Sequence, residues 1–296
     1  MLVSYIILTR NRKGEVVKAL RSVRNQDYTS KEIIVVDNAS SDGTAEMIKK
    51  DFPDVRYYRM NSNIGACAGR NIGIKEAKGD ILIFLDDDAI FEKGNETTTA
   101  VNKFNSMPDI DAIAFKVIDE QSGGVSHGVQ HGGYPVRGKG VILEEKEVSY
   151  FFIGAASFRR RVFEDAGLFH EEYFIYCEEM ELSFRMLEKG MRILFIPQIA
   201  ILHKMSSTGR MPHIYYQLRN RIWIVFKYLP LIYAIMHSSI WLIYLLWHSI
   251  KDKKTDDYLK AVIDSAKGLP RILKNRSVLS RRTIKRLKEL RGRLYY

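Results

Sequence analysis

The chain has 296 residues, which allows a full core as one large domain or one domain with an appendage. Its formal net charge of +11 is concentrated, because residues 251–296 hold fifteen Lys or Arg against five Asp or Glu and the first 250 are close to neutral. Two cysteines, Cys67 and Cys177, suggest no disulfide framework, and the opening MLVSYIILTRNR lacks the basic start and cleavage site of a secretory signal, so a reducing compartment inside the cell is expected.

Leu2 to Leu8 is a short apolar run that predicts a buried strand, ending in polar Thr9 to Lys13. Residues 14–25 place Val16, Val17, Leu20 and Val23 at helical spacing. Glu32 to Val36 reads as a second buried strand. The polar stretch Asp37 to Thr44 then carries helix-capping residues ahead of a helix over Ala45 to Lys50. Val55 to Met60 gives a third strand, Gly65 to Ala77 a third helix, and Asp80 to Leu85 a fourth strand running into Asp86-Asp87-Asp88. This order argues a largely parallel sheet flanked by helices, with ligands at the strand C-termini near Thr9, Asp37 and Asp86 to Asp88.

From Asp119 to Lys146 the chain is rich in glycine (Gly123, Gly124, Gly128, Gly132, Gly133, Gly138, Gly140), which predicts a long mobile loop able to close over a substrate. His127 and His131 within it have no helical period around them and read as loop residues, not a metal site. Regular structure is expected again at Tyr150 to Ile153, as helices over Arg160 to Ala166 and Glu178 to Lys189, and as a strand over Arg192 to Ile196. Leu229 to Trp247 has no formal charge but contains Pro230, His237, Ser238 and Ser239. It can cross a bilayer, lie on one or be a buried helix, and a membrane-bound helix without full crossing is the reading preferred. The basic stretch beyond it suits a polyanion, of which nucleic acid and anionic lipid headgroups are the common ones.

Three adjacent carboxylates at a strand end repel one another, and the usual compensation is a hard divalent cation shared with substrate phosphates; the alternative is a solvated acidic turn. The runs VSYIILTRNR, IIVVDNASSDGT, NSNIGACAGRNIGIKEAKGDILIFLDDD, YFIYCEEMELSFRMLEKG and ILHKMSS, in that order over about residues 3–205, resemble family 2 glycosyltransferases. Among these they look like rhamnosyltransferase-like enzymes that build surface polysaccharide.

The resemblance implies an α/β fold of the GT-A (nucleotide-diphospho-sugar transferase) type, a mostly parallel sheet flanked by helices with a C-terminal helical region. Together with the hydropathy and charge of the rest of the chain it gives a catalytic domain at 1–215, an apolar membrane-associating region at 216–250 and a basic helical tail at 251–296. A sugar would pass, with inversion, from a UDP- or dTDP-sugar to a hydroxyl of a lipid-linked or polymeric glycan acceptor at the cytoplasmic face of the membrane.

Carried over position by position, Thr9, Asn11, Asp37, Asn38, Gly65, Arg70, Asp86 and Asp87 would bind the nucleotide-sugar, and a carboxylate at Asp37 can accept the N3 proton of a pyrimidine. Gly65 and Gly69 would let backbone approach the ligand. Asp88, Asp86 and His203 would hold Mn²⁺ or Mg²⁺ through a DXD motif. Of Glu178 and Glu179 one is the general base, Glu179 by preference, although Glu stands where the family has Asp. Gly154, Ala155 and Ala156 match the small-residue segment under the acceptor. Asn220 in Gln217-Leu218-Arg219-Asn220-Arg221 breaks the QxxRW pattern of processive synthases, so few additions per acceptor are expected, with Arg219 able to reach the diphosphate.

Two other enzyme classes fit poorly, because Thr9-Arg10-Asn11-Arg12-Lys13-Gly14 is neither the G-x-G-x-x-G of a dehydrogenase nor the Gly-rich loop of a nucleotidyltransferase. A nucleic-acid-binding protein that uses the basic tail is the alternative. It leaves Asp86 to Asp88 and Glu178-Glu179 unexplained, so no nucleic-acid partner is expected.

Overall fold

A computed structural model of the chain describes residues 1–120, 144–204, 213–292 and 294. Most of the glycine-rich stretch, with His127 and His131, and the Met205-Ser206-Ser207 end of the last motif lie outside the described residues.

The first half alternates as the sequence predicts. β1 (Val3–Thr9), α1 (Lys13–Arg24), β2 (Lys31–Asp37), α2 (Thr44–Asp51), β3 (Arg56–Arg59), α3 (Gly65–Glu76) and β4 (Ile81–Asp86) follow one another. β1, β2 and β4 are buried nearly throughout, which is why they read as continuous apolar runs and not as alternating ones. α1 turns Val16, Ala19, Leu20 and Val23 inward, the helical spacing seen in the sequence.

Then come β5 (Ala89–Phe91), α4 (Glu96–Ser106), β6 (Ala112–Asp119), β7 (Lys146–Val148), β8 (Ala155–Arg159), α5 (Arg161–Asp165), α6 (Glu178–Glu188) and β9 (Ile193–His203). Among the described residues the strands form one sheet in the order β3-β2-β1-β4-β8-β6-β9-β5, with β7 beside β9. β3, β2, β1 and β4 run parallel, and β8 is inserted antiparallel between β4 and β6. β6 and β9 run parallel to each other. The C-terminal ends of β1, β2, β4, β6 and β9 therefore share one edge of the sheet with the start of β8.

The expectation of regular structure at Tyr150 to Ile153 is corrected: that stretch is irregular, and the strand is Ala155–Arg159. Its residues AASFR carry no apolar run, and its place is set by pairing on both sides, Phe84 opposite Ala156 and Ala156 opposite Ala114. Phe84, Phe158, Phe163 and Phe169 pack edge-on or tilted beneath it.

Four helices close the chain: α7 (His213–Tyr228), α8 (Leu231–Lys251), α9 (Thr255–Lys274) and α10 (Arg281–Glu289). They are docked on the body, since Leu218, Ile224, Leu245, Ile272 and Leu287 belong to the same buried core as the sheet. Fully buried Glu181 on α6 ties the layers together by accepting from Arg185 one turn on and from the Tyr228 hydroxyl of α7.

Candidate active site

The register sets the site. Thr9 lies opposite Asp37, and Leu8 lies opposite Asp86, so the ends of three neighbouring parallel strands deliver these polar groups together. β9 brings His203 to the same edge, paired with Ala89 just beyond the three aspartates. A cavity of about 940 Å³ opens there, and its wall includes Thr9, Asn11, Asn38, Gly65, Arg70, Asp86, Asp87, Asp88 and His203. Open α/β sheets bind ligands at this kind of edge.

Within the cavity His203 Nε2 stands 3.2 Å from Asp88 Oδ1 and 3.6 Å from Asp86 Oδ2. One ligating atom from each of the three residues falls within 4.8 Å of the others. Two carboxylates and an imidazole are a donor set suited to Mn²⁺ or Mg²⁺, so these residues fit the implied ion. Cationic side chains meet the carboxylates. Arg12 Nη1 pairs with Asp87 at 3.0 Å and with Asp88. Burial works against a charge on His203, but its hydrogen bonds to Asp86 and Asp88 and their charges push its pKa up to about 10.

The three aspartates differ. Burial would raise the Asp86 carboxyl, yet His203 and Arg70 hold it below the usual range. Burial pushes Asp87 up to about 7 against the pull of Arg12, and Thr9 Oγ1 donates to its Oδ2 at 2.7 Å. Gly154 makes room for Asp86: a Cβ there would collide with the Asp86 carboxylate. Ala155 and Ala156 are fully buried inside the sheet beneath this edge and do not line the cavity.

Asp37, Gly65 and Gly69 are engaged within the protein. Asp37 is fully buried and absent from the cavity wall; its oxygens already accept from the Tyr57 hydroxyl and from the backbone N–H of Ser40 at 2.8 Å. It shapes the turn while Asn38 reaches the wall. Gly65 and Gly69 serve close approach of protein to protein. A Cβ on Gly65, which has φ +88°, would lie 2.6 Å from the Phe174 ring, and one on Gly69 would strike Leu8 of β1. The start of α3 is capped by protein too, because the Phe174 carbonyl accepts from Ala66 N at 2.6 Å and from Cys67 N at 3.1 Å.

Glu178 and Glu179 begin α6 and are buried, outside the cavity wall to which Phe174, Ile175 and Tyr176 just before them contribute. Glu178 accepts from Arg70 Nη1 at 2.5 Å. Burial first, and then the charge of Glu178, push the Glu179 carboxyl up to about 8. The loop before them holds Phe174, Tyr176 and Cys177 at φ of 64°, 69° and 67°. Asn220 of α7 stabilises it: its Nδ2 lies 2.8 Å from the carbonyl oxygens of Tyr173, Ile175 and Tyr176. Arg219 donates to the Glu172 carbonyl at 2.9 Å and stacks on Trp223, so it buttresses the same loop and is not among the residues lining the cavity.

The sequence reading missed Arg12, Tyr176 and Lys254, and the part Asn220 plays in holding the loop. A basic residue one position past Asn11 in the loop facing three aspartates was signal enough for Arg12. Lys254 comes to the cavity through the fold of α8 and α9, for which the sequence carries no local sign.

The glycosyl transferase family 2 model matches residues 4–167. The GalNAc(5)-diNAcBac-PP-undecaprenol beta-1,3-glucosyltransferase of Campylobacter jejuni is 38% identical over 89 residues, which is 29% of this chain and 29% of that protein. An uncharacterized glycosyltransferase of Haemophilus influenzae is 39% identical over 90 residues, 30% of each chain, so the matched stretch spans about three tenths of these relatives' length. The crystal structure of GalNAc-T7 with UDP, GalNAc and Mn²⁺ superposes with a TM-score of 0.62 at 20% identity, covering 77% of this chain and 48% of that one. That likeness shows the fold, which is GT-A as the resemblance implied. With its family model matching residues 4–167 of 296, the chain belongs to glycosyl transferase family 2.

Proposed function

We propose that the protein moves a sugar, with inversion, from a UDP- or dTDP-sugar to a hydroxyl of a lipid-linked or polysaccharide acceptor, aided by Mn²⁺ or Mg²⁺. The observation that carries this is the convergence of Asp86, Asp88 and His203 in the cavity at the strand C-termini. When bound, the ion would supply charge stabilisation for the departing diphosphate. Thr9, Asn11 and Asn38 would hold the nucleoside end. Arg70 would keep Asp86 ionised and oriented from behind.

Glu179 is the base in this reading. Glu178 Oε1 is paired with Arg70, and the raised pKa of Glu179 suits a group that must take a proton near neutral pH. Glu179 is buried and outside the cavity wall, so in this reading the carboxylate has to become accessible for it to meet the acceptor hydroxyl. Selection of a pyrimidine by Asp37 likewise requires Tyr57 to yield its hydrogen bond.

A lipid-linked acceptor is named for the Campylobacter relative, and GalNAc-T7 was crystallised with UDP and Mn²⁺. Both support the choice of acceptor, donor and ion here. We place the protein at the cytoplasmic face of the membrane, with 1–215 as catalytic domain, 216–250 as membrane-associating region and 251–296 as basic tail. The comparisons give no support to the nucleic-acid-binding alternative. Incubation with labelled UDP- and dTDP-sugars, Mn²⁺ and bacterial membranes tests the reading: label transferred to glycan supports it, and no transfer or nucleotide release from any donor contradicts it.

A further inference from the structure

α8 has its polarity reversed relative to a surface helix in water. The face turned to α7 and α9 carries buried His237, Ser238 and Ser249 beside Ala234 and Leu245. The face turned to solvent carries Ile232, Ile235, Ile243, Leu246, Trp247 and Ile250, with Ile243 71% and Trp247 59% exposed. These positions fall on one face of the helix and make an apolar stripe along it, with Ser239 and Ile240 between Ile235 and Ile243. A contiguous exposed stripe of this kind marks an interaction surface.

Charge indicates what covers it. Lys251 and Lys253 follow the stripe directly, and Lys288 of the basic α10 stands 5.5 Å from the ring centre of Tyr233 near its start. An apolar stripe rimmed by basic groups, with an exposed Trp near one end, complements an anionic bilayer surface. A second copy of the same face would bring like charges together.

The packing also shows how α8 lies. Of all the described helices it alone is long and apolar enough to cross a membrane, and 22% of its apolar window is buried. Yet the buried Arg221 guanidinium sits 3.7 Å from the ring centre of Trp241 and 3.4 Å from His237 Nε2, both on α8. Drawing α8 through a bilayer would strip a buried cation of these neighbours. The turn that follows α8 then reaches the site, because Asp252 and Lys254 line the same cavity as Asp86, Asp88 and His203.

We propose that α8 lies in the plane of an anionic bilayer with its apolar stripe in the lipid and holds the cavity mouth at the headgroups, so that the acceptor is an amphiphile offered from the membrane. The half that concerns the acceptor rests on the transferase reading above; the docking half does not. Lys254 at the mouth would meet the acidic headgroup of that amphiphile.

The test uses the full chain and vesicles of phosphatidylcholine alone or mixed with phosphatidylglycerol. Flotation with the mixed vesicles is expected, with release by alkaline carbonate. The double variant Ile243→Glu/Trp247→Glu changes two exposed side chains remote from the cavity wall. It should keep its circular dichroism and its UDP binding while losing vesicle affinity by about tenfold or more, in line with two large apolar groups withdrawn from lipid. Unchanged vesicle binding in that variant overturns the docking surface, and resistance to carbonate overturns the in-plane orientation. A wild-type chain that ignores vesicles and sediments as a dimer which the double variant breaks assigns the stripe to a second copy and overturns the proposal. Label from a UDP-sugar entering solvent-extractable lipid, and falling about tenfold in the variant, supports the amphiphilic acceptor; label entering only water-soluble glycan overturns it. Because UDP binding is read separately, vesicle binding without nucleotide binding would sink the transferase reading alone.

Discussion

Arg70 joins Asp86 to Glu178: one guanidinium nitrogen lies 3.3 Å from Asp86 Oδ1 and the other 2.5 Å from Glu178 Oε1. A single buried fork thus couples the carboxylates at the end of β4 to those at the start of α6. Lysine offers a point charge and cannot bridge both. Arg70→Lys should fold and lose about tenfold or more in kcat with little change in donor affinity. Arg70→Ala should cost about 3 to 5 kcal/mol of stability, because it leaves Glu178 buried without its partner. Steady-state kinetics and chemical denaturation check both.

Glu179→Gln should lower turnover by about 10² to 10⁴ while leaving UDP binding intact. In the folded protein this carboxyl is raised from its ordinary 4.5 to about 8, so folding binds its proton more tightly. The stability linked to that proton is fully present below pH 4.5 and is lost as pH rises from there to about 8. Thermal melts should therefore show Glu179→Gln gaining on the wild type across that window, most clearly above pH 8. The wild-type kcat should rise with pH through the same upper value. Retained turnover in the variant would move the base elsewhere.

An ion that takes Asp88 and His203 has to expel the His203 proton, held up to about pH 10 before the ion arrives. Apparent Mn²⁺ affinity should accordingly climb about tenfold per pH unit between pH 6 and 8 for one competing proton. His203→Ala should flatten that slope, and Mn²⁺ titrations at several pH values read it directly.

Gly154→Ala should place a methyl against the Asp86 carboxylate with the backbone held in place, since the Gly154 carbonyl accepts from Asp86 N and Ala155 is paired with Leu85 of β4. The expected outcome is loss of Mn²⁺-dependent nucleotide binding and about 1 to 3 kcal/mol of stability. Unaltered binding would show that Asp86 is free to move.

β1, β2 and β4 were legible because strands buried on both faces need continuous apolar runs, and helices between them announce themselves by period. The edge that carries Thr9, Asp37 and Asp86 to Asp88 followed from that order alone, and Asn38 and His203 entered through motif resemblance. What escaped were relationships across distance. Nothing near Asp37 in the sequence says that Tyr57 occupies it, and nothing near Gly69 says that Leu8 needs the space. Asn220 looked like a broken motif until the strained loop it holds came into view. AASFR is a strand by virtue of its two neighbours, and Lys254 reaches the cavity only because α8 and α9 fold back.

The account stands most directly on whether this cavity binds a nucleotide with the help of a metal. Calorimetric titration of the purified chain with UDP, dTDP, GDP and NAD, each with and without Mn²⁺, measures it. UDP or dTDP should bind at least about tenfold more tightly with Mn²⁺, and Asp88→Ala should abolish that gain. A folded protein that binds none of the four nucleotides in the presence of Mn²⁺ would contradict the account.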